Sequence, residues 1–115
     1  MGTPAALFKA LSEETRVRIV GLLTGGERCV CDLVAILNLP QSTISRHLTI
    51  LKNAGWVASR RKGVWMYYRL AETKNPLHQG LLAAFRANLP SVKALAADRK
   101  KMAAYLKSKP AAGCD

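Results

Sequence analysis

Residues 39–57 read LPQSTISRHLTILKNAGWV, and the fold turns on them. At about 100° per residue, Ile44, Leu48 and Leu51 fall within about 60° of arc, which predicts a buried stripe. Ser42, Ser45, Arg46, Thr49 and Asn53 gather on the opposite side. That side is short, polar and nearly free of acid, so a helix carrying it can approach base edges closely. Asn38 to Pro40 predict a tight turn ahead of the helix. Before the turn, Leu33, Ile36 and Leu37 have helical spacing.

Working outward, residues 56–70 read WVASRRKGVWMYYRL. They are rich in Val, Trp and Tyr, and Arg61-Lys62-Gly63 interrupts them, which predicts a β-hairpin with a basic tip. Upstream, PAALFKAL (4–11) predicts a short helix. Ser12 is a good N-cap for a second helix, running to about Leu23, with Gly25 and Gly26 as its stop. Its Val17, Ile19, Val20, Leu22 and Leu23 cover most of its circumference, as in a central helix. Downstream, Pro76 opens a helix to about Leu89, and a last helix carries Val92, Leu95, Met102 and Leu106. This order predicts a mainly α, winged helix-turn-helix fold. It makes one domain over residues 1–109, with a flexible tail over 110–115.

Charge points to a partner. The 115 residues carry 18 Lys and Arg against 7 Asp and Glu, a net charge of +11. Nucleic acid is the first partner to expect from that excess, and an acidic membrane surface the second. No stretch approaches the ~18 apolar residues of a membrane helix. No basic region followed by an apolar core opens the chain, so a cytoplasmic protein without a membrane partner is expected. Arg46 can reach a guanine or a phosphate, and a groove-bound helix reads with its N-terminal half. Gln41 and Thr43 sit at that end. His47 lies on the flank, where it either meets DNA or packs against the domain. Arg60, Arg61 and Lys62 suit phosphates or a minor groove. Each of these residues singly also fits a solvated surface; the preceding turn and the net charge favour DNA.

The stretch ERCVCDL (27–33) raises a second chemistry. Free cysteine is commonly a small core residue. Cys29 and Cys31, one residue apart at a helix start beside a DNA reader, instead favour a sensor of soft, thiophilic ions. Residues i and i+2 point the same way in an extended chain but not in a helix. Two sulfurs therefore grip one ion only if Cys29-Val30-Cys31 is extended, or if the first turn of the helix unwinds. Either change next to the reading helix can couple ion to DNA at an ordinary ~1–3 kcal/mol. The spacing is not that of a zinc cage, and no second cysteine pair completes one. No nucleophile–base pair, cofactor loop or paired carboxylates suggest an enzyme.

LFKALSEETRVRIVGLL (7–23), ERCVCDL, LPQSTISRHLTILKNAGWV and RKGVWMYYRL (61–70) together resemble the ArsR/SmtB family of metal-responsive repressors, its arsenical-resistance members most of all. The resemblance implies a homodimer built on the first and C-terminal helices. It implies double-stranded operator DNA as partner, held until trivalent arsenic or antimony binds. By that analogy Cys29 and Cys31 are the inducer ligands, and the helix from Gln41 to Leu51 is the reader. The best-known members carry a third cysteine where this chain has Val34. Cys114, a small thiol or solvent are the candidates to make up the shortfall. Some relatives sense zinc or cadmium through carboxylates and histidines on the last helix, where this chain offers Asp98 without histidines. Two alternatives stand beside this reading. One is the same repressor triggered by zinc, cadmium, lead or cysteine oxidation; the other is a thiol metal-carrier or interaction module.

Overall fold

The computed structural model describes residues 3–109. Helix α1 (Pro4–Ala10) leads to α2 (Glu14–Leu23), then to a two-residue strand β1 (Arg28–Cys29) and α3 (Val30–Leu37). After the turn come α4 (Gln41–Asn53), the hairpin strands β2 (Val57–Lys62) and β3 (Trp65–Leu70), α5 (Pro76–Asn88) and α6 (Lys93–Ser108). A 3₁₀ turn, Leu89–Ser91, joins the last two. This is the winged helix-turn-helix fold, mainly helical, with a small antiparallel sheet. The expected tail, residues 110–115, and Cys114 within it lie outside the described residues.

Local chemistry sets most of the boundaries. Asn38 ends α3 in the left-handed region (φ 55°), a conformation Asn adopts more readily than most side chains. Pro40 then starts α4 and accepts from the amides of Thr43 and Ile44. Gly63, also left-handed (φ 62°), turns the hairpin between Lys62 and Trp65, which pair across it. One start differs from expectation. Glu13, not Ser12, caps α2: its carboxylate accepts from the Thr15 amide, whereas the Ser12 hydroxyl donates back to the Lys9 carbonyl.

The buried stripe of α4 is as the periodicity predicts: Ile44, Leu48 and Leu51 are completely buried. They meet Ile19 and Val20 of α2, Leu33 of α3 and Trp56 in one core. The Trp56 indole donates to the Leu7 carbonyl (2.9 Å), tying the end of α4 to α1. Arg18 grips Asp98, itself buried, with two 2.8 Å bonds that fasten α2 to α6. Asp98 is thus occupied by an arginine.

Sequence reading missed a strand. Arg28 pairs with Tyr68 and Cys29 with Tyr67, so the sheet runs β1-β3-β2 and the wing has three strands. Cys29 is therefore part of the wing sheet. Because Leu48 joins α4 to this core with no exposed atoms to spare, Leu48→Ala should cost about 2–5 kcal/mol. A urea unfolding midpoint lowered at constant m value checks it.

Candidate functional site

Along α4, Gln41, Ser42, Arg46 and Thr49 are exposed, and Thr43 and Ser45 are half-buried. The first turn holds no acidic residue and no side-chain cap. The positive end of the helix dipole there suits a phosphate. The Thr49 hydroxyl is turned back on the Ser45 carbonyl at 3.0 Å.

His47 takes the packing alternative. It is buried against α2, between Arg16 and Glu13. Arg16 Nη1 stands 3.1 Å from Nδ1, and Glu13 Oε2 stands 3.1 Å from Nε2. A neutral imidazole protonated at Nε2 satisfies both contacts, because the guanidinium can only donate. Burial is the main cause that holds His47 below its ordinary pKa; Glu13 opposes the shift and Arg16 and Arg46 add to it.

The three wing cations do not act as one tip. Arg60 and Arg61 lie on strand β2 and Lys62 ends it, so they alternate between the faces of the sheet. Arg60 forms a two-pronged ion pair with Glu27 (2.7–3.0 Å) and lies 5.3 Å from the centre of the Tyr67 ring. The hydrogen bond from Arg60 holds the Glu27 carboxyl below its ordinary pKa, against a smaller opposing effect of burial. Lys62 approaches the same ring at 6.0 Å, and the residue at the tip is Val64, 81% exposed. Glu27 precedes β1 by one residue, so Arg60 is a second stitch between the wing and the cysteine segment.

The cysteine segment combines both conformations weighed from the sequence. Cys29 is extended (φ −72°, ψ 153°) and forms the N-cap of α3, while Cys31 lies within the first turn. The sulfurs stand 3.3 Å apart, on one side, without any unwinding of the helix. Cys29 is a buried free thiol and Cys31 is disulfide-bonded. At 3.3 Å the two sulfurs are not bonded to each other.

Both cysteines open on a cavity of about 160 Å³. Its other walls are Gln41 and Ser45 of the reading helix and Val64, Trp65, Met66 and Tyr68 of the wing. One small space thus touches the sulfurs, the N-terminal half of the reader and the hairpin. Sequence reasoning found the first two groups separately, but nothing in the spacing of Trp65 or Met66 placed them beside the cysteines. Nor was Asp32 found. It is buried, and its carboxylate accepts from the Cys29 amide, the Tyr105 hydroxyl and Lys109. Among the described residues no group of three or more His, Cys, Asp or Glu is placed to hold a metal.

Known proteins match this chain in sequence and in fold. The profile of the bacterial regulatory proteins of the arsR family matches residues 13–59. Over 90 residues, the chain is 46% identical to the arsenic resistance transcriptional regulator ArsR2 of Pseudomonas putida, covering 76% of this chain and 78% of that protein. The chain belongs to the ArsR family. It is also 49% identical over 69 residues to the arsenical resistance operon repressor of Escherichia coli, covering 59% of each chain. Among solved structures it resembles the homodimeric winged helix-turn-helix DNA-binding domain of a possible ArsR-family regulator from Mycobacterium bovis. That likeness has a TM-score of 0.62 and 34% identity, over 72% of this chain and 74% of that one. The ArsR family consists of transcriptional regulators, so this is a regulator of the arsenical-resistance type. No described helix is long and apolar enough to cross a membrane.

The histidine between α2 and α4 gives a pH test. A base whose folded pKa is depressed binds fewer protons folded than unfolded. Its stabilising effect is complete above the unfolded value of ~6.5 and is lost as pH falls below it. His47 and His78 are both depressed, His78 by burial alone. Unfolding free energy should fall between pH 7 and pH 5, and His47→Gln should flatten that slope. An equal slope in the variant would contradict the assignment.

Proposed function

We propose that this protein is a homodimeric repressor that holds double-stranded operator DNA in its ion-free form. Trivalent arsenic or antimony, captured by Cys29 and Cys31 in the cytoplasm, releases it. The observation that carries the reading is the shared cavity: the sulfurs, Gln41, Ser45 and the wing residues Trp65 and Met66 line one space of about 160 Å³.

The sulfur spacing is short enough for both atoms to bond one ion. With bonds of roughly 2.3 Å from sulfur, a right angle at the ion separates the sulfurs by about 3.3 Å, and a tetrahedral angle by about 3.8 Å. The pair stands at 3.3 Å. Two sulfurs fall short of a zinc cage.

DNA contact is assigned to Gln41, Ser42, Thr43, Ser45, Arg46 and Thr49 of α4 and to Arg61 and Lys62 of the wing, with phosphates as the main partners of the cations. His47 supports the reader from behind. Arg60 reaches DNA only by leaving Glu27. An ion in the cavity presses on Gln41 and Ser45 and displaces β3 against α4. Reader and wing then no longer span the spacing that the groove and the flanking phosphates require. No unwinding of α3 is needed, because Cys29 is already extended.

Anisotropy of a labelled operator duplex tests the reading on reduced protein. Arsenite should release the wild type at a lower dose than zinc or peroxide, and Cys29→Ser and Cys31→Ser should stay bound at that dose. Release of both variants at the wild-type dose would refute the cysteine sensor.

A further inference from the structure

Arg28 sits on β1 directly before Cys29, yet it lines a different cavity, of about 350 Å³, walled also by α2, α5, the 3₁₀ turn and α6. That cavity shares no wall residue with the one at the sulfurs. Its walls divide by chemistry. Leu22, Leu89 and Met102 are buried and form an apolar side, with the more exposed Leu106. Arg28, Arg86 and Arg99 bring three cations from β1, α5 and α6. Among the described residues no acid lines the space.

The acids next to these arginines in sequence are engaged elsewhere. Asp98 is held by Arg18, and Glu27 by Arg60. The side chains of Arg86 and Arg99 make no hydrogen bond or ion pair among the described residues. Arg28 donates through Nη1 to the Glu27 carbonyl at 3.1 Å, but its Nε is buried and has no partner among those residues. A buried donor without an acceptor is costly, and three like charges around one small space repel one another. An anion among them removes both costs. Gly25 makes room for the arrangement: a Cβ there would stand 2.9 Å from Arg28 Nη2.

The anion has a definite character. Guanidinium groups take a carboxylate through paired donors, and the leucine and methionine side takes an apolar chain. At ~30 Å³ for each water-sized group, about a dozen heavy atoms fill the cavity. Its volume stands at the small end of ligand sites. A nucleic-acid strand is too large for it, and an inorganic ion leaves the apolar side uncovered. We infer that this cavity binds a medium-chain aliphatic monocarboxylate, with the carboxylate on Arg28, Arg86 and Arg99 and the chain on Leu22, Leu89 and Met102. The site uses no sulfur and does not depend on the metalloid. One peptide bond joins Arg28 to Cys29, and Arg28 pairs with Tyr68 of the wing, so the acid meets the strand that carries the first sulfur.

Decanoate, with about a dozen heavy atoms, is the probe, titrated below its micelle concentration into the reduced full-length protein by calorimetry. One saturable site per chain is expected, with NMR amide shifts centred on residues 21–28 and 99–106. Arg86→Gln/Arg99→Gln should weaken binding roughly tenfold or more. Both positions are exposed, so the variant should keep the wild-type melting temperature. Lys100→Gln/Lys101→Gln removes the same charge from α6 outside the cavity and should bind as the wild type does. Acetate, which lacks the chain, and decanol, which lacks the charge, should each bind at least roughly tenfold more weakly than decanoate. No saturable binding, shifts centred elsewhere, or undiminished binding by the arginine variant would overturn the inference. Equal weakening in the lysine variant would reduce the arginines to bulk charge and overturn it too. Acetate matching decanoate would mean a plain anion site, and decanol matching it a purely apolar one; either result contradicts the assigned ligand.

Discussion

The pairing of Arg28 and Cys29 with Tyr68 and Tyr67 is the constraint from which the rest follows. A two-residue strand is slight as secondary structure, yet it fixes the backbone of Cys29 as extended just where α3 begins. An extended residue followed by a helical one lets both sulfurs face one side. The same pairing makes the sulfur-bearing residue a member of the wing sheet, so whatever moves Cys29 pulls on β3. Asp32 completes the arrangement from the helix side by accepting the Cys29 amide. The cysteine segment is therefore a joint between sheet and helix rather than a loop.

Electrostatics arranges the basic residues into unlike roles. The excess of 18 cations over 7 acids suggests a uniform positive surface, but particular acids claim particular cations. Glu27 holds Arg60, Asp98 holds Arg18, and Asp32 holds Lys109. Exposed ion pairs such as Arg60–Glu27 contribute little stability. Their effect is orientation, since Arg60 is held over Tyr67 and against the segment that leads into β1. Arg46 and Arg61, exposed on reader and wing, are left facing outward.

Much of this was legible in the sequence, for identifiable reasons. The α4 stripe follows from the 3.6-residue period, and Ile44, Leu48 and Leu51 are all completely buried. The hairpin follows from its β-rich composition and Gly63. Asn38 and Pro40 mark the turn that makes the motif. The third strand was not legible, because two residues carry no alternation and their partner lies some forty positions away. Asp32 was readable only as an acid beside a thiol; its partners Tyr105 and Lys109 lie 73 and 77 residues along the chain. His47 had two readings because a flank position is shared between core and surface. The basic run at 60–62 read as one cluster because a strand's alternation divides neighbours that sequence places side by side.

The claim that the sulfur joint drives both reader and wing is tested most directly by hydrogen–deuterium exchange of the reduced, DNA-free protein with and without arsenite. The account predicts altered protection of amides in β3 and in the first turn of α4, as well as at residues 28–33. Changes confined to residues 28–33, with β3 and α4 unaltered at full arsenite occupancy, would contradict it.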